Sequence, residues 1–181
     1  MTKELLARAL ELPTDRVTLI KSATGAEGIA EIERATAIGW IDFGLHMRLS
    51  DAIRAQVGAE GNVQLWTRLF HELSRRAILD SFFSGMIRLS RTPDVLFRRS
   101  AGVYGLLTRD IGTYAYRPAE QERCGHIDLD GFPSAQHDTR CYAEGLLGSL
   151  RAAMERTDPD GTVELETVDS ARGHVRYTLS W

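Results

Sequence analysis

The chain has 181 residues, 43% of them hydrophobic and 26% charged, a balance that suits one globular domain with a real core. Its 22 Lys+Arg against 25 Asp+Glu leave a net charge of −3, so no global basic field exists to hold nucleic acid or an anionic membrane. No run approaches the roughly 20 apolar residues of a membrane span, the first residues lack the apolar core of a signal peptide, and two cysteines are no disulfide framework; a cytoplasmic protein with reduced thiols is expected.

Leu5, Leu6, Ala9, Leu10 and Leu12 give the first segment one helical apolar face, and Pro13 ends it. The alternation of Val17 and Leu19 predicts a short strand over 16–22. Ala26 to Ala37 reads as a helix anchored by Ile29, Ile32 and Ile38. Ser50 is positioned to cap a short helix that stops at Gly58. A long helix then starts with Asn62 as its N-cap. Trp66, Leu69, Phe70 and Leu73 form its stripe, which Ile78, Leu79, Phe82, Phe83, Met86 and Ile87 continue. Arg68, Glu72 and Arg76 stand four apart on another face and can pair. In "RTPDVLF" a helix restarts, with Thr92 as cap, Pro93 in the first turn and Asp94 favouring the dipole.

The period then changes to two. "IGTYAYR" and "CGHIDLDGF" are strands. The second puts Ile127 and Leu129 on one face and Cys124, His126 and Asp128 on the other. A helix from Ser134 or Asp138 to Arg156 follows, then the turn "DPDG" and the hairpin "TVELETV…HVRYTLSW". The fold class is α+β: N-terminal helices packed on a C-terminal antiparallel sheet of β-β-α-β-β order. The chain reads as a single domain over 1–181, a helical part over 1–60 followed by a core over 61–181.

The stretch "RTPDVLFRRSAGVYGLLTRDIGTYAYR", the Gly-rich helix "CYAEGLLGSLRAAME" and the closing "VELETVDSARGHVRYTLSW" carry a resemblance. This order is similar to a lineage-restricted family of myxobacterial proteins of about 200 residues. More distantly, over about residues 60 to 181, it resembles the ligand-binding fold of haem–nitric-oxide-binding domains, four-vinyl-reductase domains and TRAPP subunits. The resemblance implies a regulatory, non-enzymatic domain that binds a small apolar ligand, or haem, between helices and sheet, or that dimerises and recruits a protein partner. The haem-binding relatives use a histidine on a helix shortly before the sheet. The corresponding "MIRLSRTPDVLFRRS" has none, and "TYAYR" only echoes their tyrosine–serine–arginine motif. Haem is therefore not expected. Trp66, Phe70, Phe82, Phe83 and Tyr104 are the candidates for lining a ligand cavity. The apolar excess of the long helix suits a homodimer.

The alternative chemistry lies in "CGH…HDTRC". Cys124 and His126 share a strand face, and His137 and Cys141 share a helical face if the helix begins at Ser134. Together they make a Cys2His2 zinc set on paper. If the helix begins at Asp138 or Thr139, His137 lies outside it. Cys141 then belongs with Gly145, Gly148 and Ala152 to a small-residue stripe that lets the helix pack closely on a sheet. A Cys–His nucleophile drawn from the same residues has no orienting third group. The arginines Arg88, Arg91, Arg98 and Arg99 form a local basic cluster, read as a solvated face.

Overall fold

The computed structural model describes residues 1–36, 41–74, 92–108, 111–120, 123–133 and 137–181, with the side chains of 103 and 105–107 outside this set. Four helices come first: α1 (Thr2–Ala9), α2 (Thr14–Thr24), α3 (Ala26–Arg34) and α4 (Phe43–Leu73). Then come α5 (Pro93–Leu107), β1 (Thr113–Pro118), β2 (Cys124–Asp130), α6 (Thr139–Glu155), β3 (Thr162–Asp169) and β4 (His174–Ser180). No helix among the described residues is long and apolar enough to cross a membrane.

The segment expected as a strand over 16–22 is helix α2. Its burial has period four, not two. Ile20 and Thr24 are buried while Leu19 is 54% exposed, so the Val17/Leu19 alternation was not a buried face. Helix α4 runs through both helices expected on either side of Gly58. That glycine, at φ 74° and ψ 177°, kinks the helix instead of ending it. Asp42, not Ser50, is the cap, its carboxylate accepting from Leu45 N at 2.9 Å. Ser50 lies two turns inside, where its hydroxyl donates to His46 O. Asn62 is no cap either, being fully buried against α6. Glu72 pairs with Arg8 of α1. Arg76 and the second half of the long stripe lie outside the described residues.

The sheet order is β1-β2-β4-β3, antiparallel throughout, which is the β-β-α-β-β topology read from the sequence. Ile127, Leu129, Val175, Tyr177 and Leu179 fill the face that α6 covers, and Tyr177 pins the helix by donating to Ala143 O at 2.9 Å. On the opposite face Asp128 is 2% exposed and is held by Arg176 at 2.7 Å and Arg117 at 3.4 Å. A second apolar cluster joins α1, α2 and α3 to α4 through Leu5, Leu6, Ile20, Ile32, Leu49 and Ile53.

The small-residue stripe of α6 does what its composition suggests, but against α4 and not against the sheet. A Cβ at Gly145 would meet Trp66 Nε1 at 2.9 Å, and one at Gly148 would meet Val63 O at 2.4 Å. Thr67 Oγ1 uses this close approach to donate to Gly148 O at 3.1 Å. These contacts fix α4 and α6 as two walls, and α5 supplies a third.

Candidate functional site

Between those walls and β1 lies a cavity of about 150 Å³ with an almost wholly apolar surface. From α4 it takes His46, Trp66 and Phe70; from α5, Leu96, Phe97, Ser100 and Tyr104; from β1, Tyr114. Helix α6 contributes one continuous face: Tyr142, Leu146, Ser149, Ala153 and, just past its end, Arg156. The few polar groups at the wall are mostly paired with one another. Tyr104 and Tyr142 share a hydrogen bond at 3.0 Å that ties α5 to α6. Ser100 and Tyr114 share another at 2.9 Å, and the Tyr104 and Tyr114 rings stack at 5.1 Å. Burial pushes all three tyrosine hydroxyls up from their ordinary range, so they stay protonated donors.

His46 is the buried imidazole of this wall. Its Nδ1 shares a hydrogen bond with Thr2 Oγ1 at 3.0 Å. Burial first, and the positive N-terminus second, lower it from 6.5 to about 4. A folded-state value below the unfolded one means that the unfolded chain takes the proton first as pH falls. Stability from neutral His46 is therefore complete above pH 6.5 and lost progressively down to about pH 4, a loss of roughly 3 kcal/mol in total. Urea midpoints between pH 7 and pH 4 should fall less steeply in His46→Gln than in the parent. Parallel curves would show that this imidazole is not the group responsible.

Of the cavity candidates read from the sequence, Trp66, Phe70 and Tyr104 meet on the cavity wall. Phe82 and Phe83 lie outside the described residues. Tyr142, Tyr114, Phe97 and Arg156 were not singled out. The signal for Tyr142 and Arg156 was present as the i, i+3, i+4, i+7 face of α6, next to the glycine stripe.

The four Cys and His residues do not share a site. Cys124 and His126 lie on the sheet face away from α6, where Cys124 Sγ is 3.7 Å from Ser180 Oγ and His126 is 3.6 Å from Glu166. Helix α6 begins at Thr139 with Asp138 as its cap, so His137 is outside it and packs edge-on against Phe43 at 5.1 Å. Cys141 is buried between α4 and α6, where burial, with Asp51 adding to it, raises its thiol far above the thiolate range. Among the described residues no group of three or more His, Cys, Asp or Glu is placed to hold a metal ion. Of the basic cluster, Arg98 pairs with Asp94 at 3.1 Å and lies over the Tyr116 ring; Arg88 and Arg91 are outside the described residues.

No protein-family model matches the sequence, and the search of curated proteins finds no relative. Solved structures do match. An oxygen-binding H-NOX (haem–nitric-oxide-binding) domain related to soluble guanylate cyclases, in its oxygen complex, superposes with a TM-score of 0.64 at 14% identity, covering 98% of this chain and 90% of that one. The iron(II) unliganded H-NOX protein from K. algicida gives 0.62 at 13%, covering 99% and 96%. A Cs H-NOX mutant carrying 4-cyano-L-phenylalanine gives 0.65 at 14%, covering 98% and 92%. The chain has the H-NOX fold. The match spans nearly all of it, including the N-terminal helices that the sequence resemblance, limited to about residues 60–181, left out. In this H-NOX fold α5 is the helix immediately before the sheet. Among its described side chains, those it presents to the cavity are Leu96, Phe97, Ser100 and Tyr104, with no histidine.

Proposed function

We propose that this chain is a non-enzymatic, regulatory small-ligand-sensing domain that holds a small apolar molecule, and no haem, between α4, α5 and α6. The observation that carries the reading is the apolar cavity spanned by the Tyr104–Tyr142 bond. Pockets of about 150 Å³ lined by apolar side chains stay dry and take molecules of the size of benzene. Haem fits poorly with these residues. A porphyrin between α5 and α6 would have to part Tyr104 from Tyr142, and α5 offers the iron no imidazole.

A guest in this space competes with the contacts between α5 and α6, so its occupancy biases how those helices sit, which is what a sensor needs. The sequence's apolar excess after Leu73 supports a homodimer as the unit that reads the shift, with sedimentation as its check.

The test follows Trp66 fluorescence during titration with toluene and octan-1-ol. Saturable binding of at least one is expected, with loss of binding in Ala153→Trp, which fills the cavity. Stoichiometric haem uptake by the purified protein would replace this reading with a haem sensor. One zinc per chain, lost in Cys124→Ala and Cys141→Ala, would replace it with the metalloprotein alternative.

A further inference from the structure

His46 lines the cavity and is only 6% exposed. Its Nδ1 is turned toward Thr2 Oγ1 at 3.0 Å, and Thr2 is not a residue of the cavity wall. The two nitrogens of an imidazole point away from each other across the ring, so Nε2 faces away from Thr2. It has no hydrogen-bond partner among the described residues. Nor is it one of their enclosed polar atoms without a partner, as Arg156 Nη1 is. The hydroxyls around the wall are by contrast engaged. Ser50, Ser149 and Thr108 donate to carbonyls one turn before them, and the tyrosines bond to one another or to Ser100. A cavity that is otherwise apolar or internally paired thus carries an imidazole nitrogen with nothing to bond.

Resting on the cavity reading above, we infer that the guest is a neutral apolar molecule carrying a hydroxyl, an alcohol or a phenol, and that this hydroxyl bonds to His46 Nε2. Burial and the positive N-terminus hold the imidazole near 4, so at neutral pH it is uncharged, with one N–H and one lone pair. One of these faces Thr2 and the other is at Nε2. The Thr2 hydroxyl can donate or accept and so serves either tautomer. A guest hydroxyl does the same at the other nitrogen, whereas a carbonyl or an ether can only accept. An ionised guest gains little from a neutral imidazole and loses its hydration on entry. A hydroxyl loses less and regains a hydrogen bond.

The experiment titrates the full chain with phenol and with toluene by calorimetry near neutral pH. The two have nearly the same shape and differ by a hydroxyl against a methyl group. Against a wall with no polar partner toluene binds more tightly, because the phenol hydroxyl gives up its water for nothing. The parent should instead bind phenol at least as tightly as toluene. In His46→Leu the ratio of phenol to toluene affinity should fall by about tenfold or more. His46→Gln, which keeps a donor and an acceptor at the position, should restore part of it. Melting temperatures of the unliganded variants separate a lost anchor from a lost fold. Toluene binding the parent more tightly than phenol overturns the inference without recourse to any variant and leaves the apolar-cavity reading standing. A ratio that survives His46→Leu does the same. Benzaldehyde, which only accepts, should bind the parent more weakly than phenol; tighter binding overturns the hydroxyl as the recognised group. Failure of both phenol and toluene to bind overturns the cavity reading and this inference with it.

Discussion

Gly148→Ala should lower the stability of the protein by about 3 kcal/mol, read as a fall in the urea midpoint at unchanged slope. On an open helix surface the same change is favourable by roughly 0.5–1 kcal/mol, because alanine loses less backbone entropy than glycine. At Gly148 the added methyl would lie 2.4 Å from the carbonyl oxygen of Val63 and 3.0 Å from the amide nitrogen of Thr67. Both are backbone atoms, so no side-chain rotation relieves the clash; α4 and α6 must move apart. Separation also breaks the Thr67 Oγ1 to Gly148 O bond and loosens Trp66 from α6, so the cavity wall shifts with it. Gly102 in α5 is the control. Nothing lies within 4 Å of a Cβ built there, and Gly102→Ala should gain a few tenths to 1 kcal/mol. Destabilisation of both variants alike would mean that the tight approach at Gly148 is not what holds the helices together.

The sheet half of the fold was legible because its burial has a single, clean period. Val175, Tyr177 and Leu179 are fully buried and alternate with half-buried residues, and Ile127 and Leu129 are fully buried beside them, with the ion-paired Asp128 between them on the other face. The N-terminal half was harder for a physical reason. Helix α2 buries only Ile20 and Thr24, so most of its surface is polar, and the half-buried Val17 with the exposed Leu19 was enough to imitate a strand. Ser50 and Asn62 have the chemistry of caps, but Ser50 donates back to His46 O inside the helix and Asn62 spends its amide on a distant helix. Asn62 reaches Cys141 O and Glu144 of α6, contacts no local pattern can announce. The glycine stripe of α6 was visible as a close-packing surface, yet its partner was not, since a small residue reports how near a neighbour comes and not which neighbour it is. The cavity divided in the same way. Trp66, Phe70 and Tyr104 were picked as large apolar residues, whereas Tyr114 reaches the wall only because β1 is brought against α5, where Ser100 bonds its hydroxyl.

That buried polar seam gives the second large effect, since Arg54→Ala should cost about 3 kcal/mol. Arg54 grips Glu144 through Nε at 2.6 Å and Nη2 at 2.8 Å, a bidentate pair at the α4–α6 interface. The two ends are not equivalent. The Glu144 side chain is 6% exposed and that of Arg54 28%. Without the arginine, the carboxylate keeps only Asn62 Nδ2 at 3.3 Å and cannot reach bulk water. Without the glutamate, the guanidinium can turn toward Asp138, now 3.8 Å away, and toward solvent. Glu144→Ala should therefore cost less, about 1–2 kcal/mol. The double variant should be less destabilised than the sum of the two, because it leaves no buried charge behind. Urea unfolding of the three variants measures the cycle. Strict additivity, or a larger loss from Glu144→Ala than from Arg54→Ala, would show that the pair is solvated in practice and that the α4–α6 contact is held by the glycine approach alone.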